Sequence, residues 1–320
     1  MNNLCFIDIG ANLTDPVFQG IYHGKSYHLP DISDIIERAR LNGLKKIMIT
    51  CGCLQDCIDA LELCRIYDPD CKFLYITVGV HPTRAQELTC KNTNNCKGSF
   101  CDCANKYLDK LKQIIISNRN RVVALGEFGL DSDRTQFCPI EIQIRYFEFQ
   151  LSLLENFKLP LFLHIRGNSE CVLKAIYILQ KYRHLWIEKG AVAHSFTGTK
   201  QDLDSLLNIG LDIGINGCSL KTQQNLELLK YIPLDRLHIE TDSPWCEIKP
   251  THASFPLVKT HFHQVQKPAK WTKSHLVKGR NEPVKIIQVA EVIFSTIQPS
   301  ISFDLFVIQI YENTLKRYFS

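Results

Sequence analysis

Eight short apolar runs of strand length, each followed by a stretch long enough for a helix, set the tightest limit on what this chain can fold into. They cover residues 4–9, 46–50, 73–80, 122–127, 161–164, 191–194, 211–215 and 237–241. Such alternation is the pattern of repeated βα units. Eight units close naturally into a barrel, whereas an open doubly wound sheet normally has fewer strands and a glycine-rich first turn. The chain carries neither a GxGxxG nor a P-loop sequence. At 320 residues it has the length of one barrel of roughly 250 residues plus insertions. The expectation is therefore an α/β chain, a single (β/α)8 TIM barrel over residues 1–320, with its site at the C-terminal face of the strands.

The helix signals fit this plan. Asp31 or Ser33 is placed to cap the run Ile35 to Arg40 before Gly43, and Pro139 opens a segment that runs on to Phe157. The stretch from Glu282 to Phe319 reads as two or more helices sealing the barrel exterior. One segment breaks the pattern: residues 87–105 hold Cys90, Cys96, Cys101 and Cys103 among Asn, Lys, Gly and Ser, and read as a disordered surface insertion. The spacing Cys101-x-Cys103 is not the two-residue gap of a zinc knuckle.

Four of the apolar runs end in a carboxylate or an imidazole. Glu127 follows Val122 to Gly126, His164 follows Leu161 to Leu163, His194 follows Ala191 to Ala193, and Asp242 follows Leu237 to Thr241. In a parallel barrel the strand ends converge, so residues over a hundred positions apart become one set of two nitrogens and two carboxylates. Hard oxygens suit Mg2+ or Mn2+ and imidazole suits Zn2+, so the mixed set favours a hydrolytic divalent cation over a redox metal. Glu127 and Asp242 are the expected catalytic carboxylates. Asp8, Asn12, His81 and Glu240 sit at or near strand ends and are candidates for additional ligands or supports for the ligands, with a purely structural role also open for Asp8 and His81, and with Glu240 a candidate partner for a ligating histidine. Arg166, two residues past His164, points the same way and is placed to hold an anionic group. Trp245 is either packing at the barrel mouth or a platform for a nucleobase.

These residues add up to a resemblance. The segments Asp8-Ile9-Gly10-Ala11-Asn12-Leu13, Gly79-Val80-His81-Pro82, Gly126-Glu127-Phe128-Gly129-Leu130-Asp131, Leu163-His164-Ile165-Arg166, His194-Ser195-Phe196-Thr197-Gly198, Glu240-Thr241-Asp242-Ser243-Pro244-Trp245 and Arg280-Asn281-Glu282-Pro283 resemble, in order, the TatD deoxyribonuclease family of amidohydrolase-like metal-dependent barrels. The eukaryotic members look most similar. The resemblance implies a divalent-metal-dependent deoxyribonuclease, a 3′ to 5′ exonuclease that cleaves DNA phosphodiesters with metal-activated water. It also implies one or two ions, Mg2+ ahead of Mn2+ or Zn2+. Under it Glu127 is a shared carboxylate ligand, His164 and His194 are imidazole ligands, and Asp242 is a ligand that also deprotonates the attacking water. One departure stands out: many members of the wider family carry a His-x-His pair on the first strand, where this chain has Gly10 and Asn12.

Charge and cysteine content refine the picture. The net charge is only +4, but between Lys249 and Lys285 eight cations face a single acid, Glu282. That segment reads as a solvated loop or as a rim that attracts phosphate, with Lys270 and Arg280 as candidate contacts to a single-stranded or frayed DNA substrate. Fourteen cysteines are many. Cys5, Cys51, Cys64 and Cys171 lie in apolar runs, where a thiol packs as a small hydrophobe. No disulfide framework is expected, nor a leader or membrane span, so the reading is an intracellular protein of nucleus or cytoplasm with reduced thiols. Two rivals stay open: a hydrolase of a small phosphodiester or amide on the same barrel, and a noncatalytic nucleic-acid-binding scaffold.

Overall fold

The computed structural model describes residues 4–89 and 102–320. Eight parallel strands follow one another around a single sheet: β1 (Phe6–Ala11), β2 (Leu44–Ile49), β3 (Leu74–Val78), β4 (Val122–Asp131), β5 (Leu161–Arg166), β6 (Ala191–His194), β7 (Asp212–Ile215) and β8 (Leu237–Ile239). The expected strands are all present, most of them shifted by a residue or two. The run expected to stop at Glu127 continues to Asp131. Sheet order equals chain order, as right-handed βα crossovers require of a barrel. The last strand returns to the first through an Ala11–Ser243 bridge, with Asn12 N–H donating to Ser243 O and Asp242 N–H donating to Gly10 O, both at 2.7 Å.

Side-chain alternation sorts the strands into two packing layers. Ile7, Ile9, Met48, Tyr75, Val123, Phe162 and Val192 fill the interior of the barrel. Phe6, Leu44, Ile47, Ile49, Leu74, Leu161 and Leu163 pack outward with the helices. Phase then decides what the strand ends can reach. On β5 and β6 the inward phase of Phe162 and Val192 continues to His164 and His194, which are paired across the two strands. On β1 the inward residues are Ile7 and Ile9, so Asp8 points away from the barrel axis.

The helices α1 (Ile32–Leu41), α2 (Leu54–Tyr67), α3 (Asp102–Ser117), α4 (Ile140–Leu151), α5 (Ser169–Lys181), α6 (Arg183–Trp186), α7 (Lys200–Ile209), α8 (Gln223–Leu228), α9 (Ile286–Ile297) and α10 (Phe303–Tyr318) occupy the connections and the C-terminal stretch. As expected, α4 starts directly after Pro139 and its line is prolonged by a 3-10 turn, Ser152–Glu155. Asp31 precedes α1 but makes no capping bond, because its carboxylate is taken by Arg280 and Trp271. Helix α10 does more than line the exterior: Asn313 donates to Leu234 O and Leu237 O, and Arg317 donates to Asp212, the first residue of β7. These bonds fix α10 against the N-terminal end of the barrel.

Cys90, Cys96 and Cys101 of the expected insertion lie outside the described residues. Glu87 and Leu88 end a 3-10 helix, Pro82–Leu88, and Cys103 lies exposed on α3. Among the described residues no helix is long and apolar enough to cross a membrane. Cys51, Cys64 and Cys171 are buried as expected. The expectation of reduced thiols throughout fails at one place, since Cys218 and Cys246 form a disulfide. The loops after β7 and β8 meet so closely that a Cβ on Gly217 would lie 2.0 Å from Cys246 O. That approach brings the two Cα atoms to 4.9 Å, a bridging distance invisible from a separation of 28 residues.

Candidate metal centre

The four expected ligands arrive from four strand ends, and β4 needs a distortion to deliver its member. The β4–β5 register slips between Leu125 and Phe128, which marks a bulge at Gly126-Glu127. Bulges re-aim a side chain at the cost of local pairing. Gly126 sits at φ +148°, and a Cβ there would fall 2.0 Å from Phe162 O, so only glycine lets β4 turn Glu127 into the barrel mouth. There one oxygen, Glu127 Oε1, lies 2.6 Å from His164 Nδ1 and 2.6 Å from His194 Nε2, with the two nitrogens 3.4 Å apart.

Each imidazole is held from behind by a second carboxylate. His164 Nε2 lies 3.0 Å from Asp131 Oδ2, and His194 Nδ1 lies 3.3 Å from Glu240 Oε2. A carboxylate that keeps a proton on each rear nitrogen orients the ring so that a cation displacing the front protons shared with Glu127 would meet two aimed lone pairs. Glu240 is itself fixed, because its Oε1 accepts from Ser195 N–H at 2.5 Å and from Asn216 Nδ2 at 3.2 Å. The donor set therefore suits a divalent cation: an anionic oxygen and two oriented imidazole nitrogens, all within 4.8 Å of one another.

Asp242 does not join that tight group. It stands on the wall of the same cavity, in the left-handed region at φ +52°, with Oδ1 accepting from Asn12 Nδ2 at 3.0 Å and Oδ2 meeting Cys246 Sγ at 3.3 Å. Burial, with Glu240 and Glu127 nearby, pushes its carboxyl up to about 6, against the opposing pull of His194 and Asn12. Glu127 goes the other way. Burial alone would raise it, but His194, His81 and the hydrogen bonds from both imidazoles outweigh burial and hold it well below the usual carboxylate range. His194 is raised well above an ordinary histidine by Glu127 and Glu240, in spite of burial.

His81 stands close by, Nε2 3.2 Å from His164 Nδ1 and 3.5 Å from Glu127 Oε1. Burial and the neighbouring His164 push it down to about 3, so it is neutral at physiological pH. Thr83 N–H donates to its Nδ1 at 3.1 Å, which puts the proton on Nε2, facing the site. His81, Asp131 and His164 form a second group of ligand-type atoms within 4.8 Å. Asp131 was not among the expected site residues. Its signal was its position four residues after Glu127 on a strand that continues beyond the bulge.

Several expected residues have other work. Asp8, facing away from the axis, accepts from Gly10 N–H, Thr241 N–H and Thr241 Oγ1, which ties β1 to the end of β8 and corrects its reading as a ligand. The amide nitrogen of Asn12 is committed to Asp242 and Ser243 O, so it orients a carboxylate. Arg280 is buried between Asp31 at 2.6 Å and Glu282 at 2.9 Å, a structural ion cluster in place of the expected phosphate contact. Lys270 is exposed on a 3-10 turn and is absent from the described cavity wall. None of the segment's eight cations is among the residues of the cavity wall, and two besides Arg280 are paired elsewhere, Lys273 with Asp34 and Lys285 with Glu247. The cavity, of about 650 Å3, is instead edged by Arg84, Arg134, Arg166 and Lys221. Arg166 Nη2 donates to Ser195 Oγ at 3.0 Å. Trp245 also lines this cavity, 57% exposed.

The sequence model described as "TatD related DNase" matches residues 7–319, almost the whole barrel. The chain belongs to the TatD-related DNase family. Family members at high coverage include the protein named "Deoxyribonuclease Tat-D" of Schizosaccharomyces pombe, 40% identical over 98% of this chain and 96% of that one. The Edwardsiella piscicida protein named "3'-5' ssDNA/RNA exonuclease TatD" is 35% identical over 75% of this chain and 79% of its own length. Among solved structures, the TatD-family hydrolase of Entamoeba histolytica superposes with a TM-score of 0.88 at 38% identity, covering 99% of this chain and 98% of that chain. The family assignment makes the chain a hydrolase on a metal-dependent barrel.

Proposed function

We propose that this protein is a divalent-metal-dependent deoxyribonuclease, a 3′ to 5′ exonuclease on single-stranded DNA or frayed ends, with Mg2+ as its ion and Mn2+ or Zn2+ as substitutes. The observation that carries this reading is the single carboxylate oxygen shared by two imidazoles, each backed by its own carboxylate, in a cavity whose wall also holds Arg166 and Lys221. Glu127, His164 and His194 would hold the cation. When bound, it supplies Lewis acidity toward a phosphoryl oxygen and a water of lowered pKa.

The remaining chemistry belongs to the chain. Asp242, with its carboxyl near 6, is an anion at neutral pH and basic enough to take the proton of the attacking water at its free oxygen. Asn12 holds the other oxygen, Oδ1, and so fixes the orientation of the carboxylate. His81 presents a neutral Nε2–H toward the same space, suited to donate to a phosphate oxygen. Arg166 and Lys221 draw the flanking phosphates to the mouth.

End-labelled single-stranded DNA incubated with purified protein is expected to shorten stepwise from the 3′ end only when a divalent ion is present. Glu127→Ala and Asp242→Ala variants that keep the native fold are expected to lose the activity. Binding without cleavage in every divalent ion would replace the enzyme with a scaffold. Cleavage of a small phosphodiester with DNA left intact would transfer the activity to the smaller substrate class.

A further inference from the structure

The cation cavity has a neighbour of opposite character. A second hollow of about 400 Å3 lies beside it, and the two share Asp15, Pro16 and Trp245 in their walls. The first cavity is strongly polar, its three arginines and one lysine joined in the wall by Asp15, Asp56, Glu127 and Asp242. The second is faced by Val17, Ile21, Tyr22 and Pro244, and the guanidinium of Arg280 beneath it is already committed to Asp31 and Glu282. Trp245 is the partition. It follows Asp242 through a tight turn, with Trp245 N–H donating to Asp242 O at 2.9 Å, so the indole is tied to the carboxylate that would act on the substrate. Two large apolar side chains at this hollow are open to solvent, Trp245 at 57% and Ile21 at 37%. Two polar side chains besides Arg280 and Tyr22 face it, His23 and Asp15; Asp15 Oδ1 accepts from Val17 N–H, and a carboxylate has a second oxygen.

A nucleotide has the same split, an anionic phosphate joined through a sugar to a flat, weakly polar ring. We infer that the second hollow is a nucleobase subsite, in which Trp245 stacks on the base attached to the scissile phosphodiester while that phosphate lies at Glu127. This rests on the nuclease reading and extends it to substrate recognition. A stacking platform accepts every base through its π-face, so the subsite selects for the presence of a base over its identity. Asp15 adds a modest preference for bases that offer an amino group. The hairpin formed by Ile21–Tyr22 and Lys25–Ser26 supplies the wall opposite Trp245, and it is an elaboration inserted between β1 and α1.

The experiment compares oligothymidylate with the same oligomer carrying a base-free tetrahydrofuran residue at the 3′ end or next to it. Wild-type protein is expected to favour the complete oligomer about ten-fold or more in kcat/KM, the scale of one base–aromatic stack. In Trp245→Ala the preference is expected to collapse toward one, and in Trp245→Phe to be largely kept. A second readout avoids turnover: with the metal chelated, 2-aminopurine at the 3′ end is expected to lose emission on binding wild type and to keep it with Trp245→Ala. Ile21→Asp, at an exposed hairpin position, is expected to weaken the quench as well. Equal cleavage of both oligomers by wild type, or an emission that does not change, would overturn the subsite while leaving the nuclease reading intact. If wild type cuts neither oligomer, the nuclease reading falls and takes the subsite with it.

Discussion

Replacing Glu240 by glutamine changes one atom of a buried side chain and tests whether the hydrogen bonds behind the imidazoles set the affinity for metal. In the native site Oε1 accepts from two donors, Ser195 N–H and Asn216 Nδ2, and Oε2 accepts from His194 Nδ1. The two donors around Oε1 force the amide oxygen of the introduced glutamine into that position, so its NH2 group must face His194. Two donors then confront each other. The imidazole escapes only by moving its proton to Nε2, the nitrogen turned toward Glu127. A protonated Nε2 has no lone pair for a cation. Loss of such a partner costs about 10–100-fold in metal affinity, which is about 1.4–2.7 kcal/mol. Calorimetric titration with Mn2+ measures it directly, with thermal melting as the check on folding. If the folded variant binds Mn2+ within two-fold of wild type, the tautomer reasoning is wrong and Glu240 serves only the loop at Ser195.

Two other outcomes are expected. Neutralising Arg166 and Lys221 at the cavity mouth is expected to weaken DNA binding and flatten its salt dependence by about one unit of log–log slope for each phosphate no longer neutralised; neutralising Lys267, Lys270 and Lys273 together is expected to leave the slope unchanged, and the reverse result would return the substrate to the basic segment. Asp212 is buried, yet His238 and Arg317 together outweigh burial and keep its carboxyl below the usual range. A depressed folded-state pKa gives stability that is present above the unfolded value of about 3.9 and is lost as pH falls through the folded value. Asp212→Asn is therefore expected to cost about 3–5 kcal/mol at pH 7, with the gap to wild type nearly constant down to about pH 5 and closing only as pH falls below the unfolded value of about 3.9 in urea titrations carried to about pH 2; a gap that stays constant over that acid range would refute the charge argument.

What could be read from the chain depended on whether direction follows from strand phase. His164 and His194 end their strands on the inward phase of Phe162 and Val192, so apolar runs alone placed them. Asp8 also lies in a strand, but between Ile7 and Ile9 that both face inward, and counting in twos would have assigned it to the outer side. Glu127 was found, although the bulge that aims it was not, because a register slip depends on the β5 partner. Charge counting failed for a related reason. A run of cations says how many charges a segment holds, whereas the partners that consume them, Asp31 for Arg280 and Asp34 for Lys273, lie more than two hundred residues away. The mouth of the cavity draws its cations from four separate βα units, Arg166 from the end of β5 itself, and no local window contains them.

The glycine at position 10 explains why the first-strand histidines cannot simply be put back. A Cβ on Gly10 would sit 2.6 Å from Glu240 Oε2, so the carboxylate that steadies His194 already fills the space a side chain from β1 would need. Gly10 and Glu240 are thus two halves of one choice. A lineage could exchange a brace for an extra ligand only by altering both strands together, since either change alone would leave a clash or an unsupported imidazole.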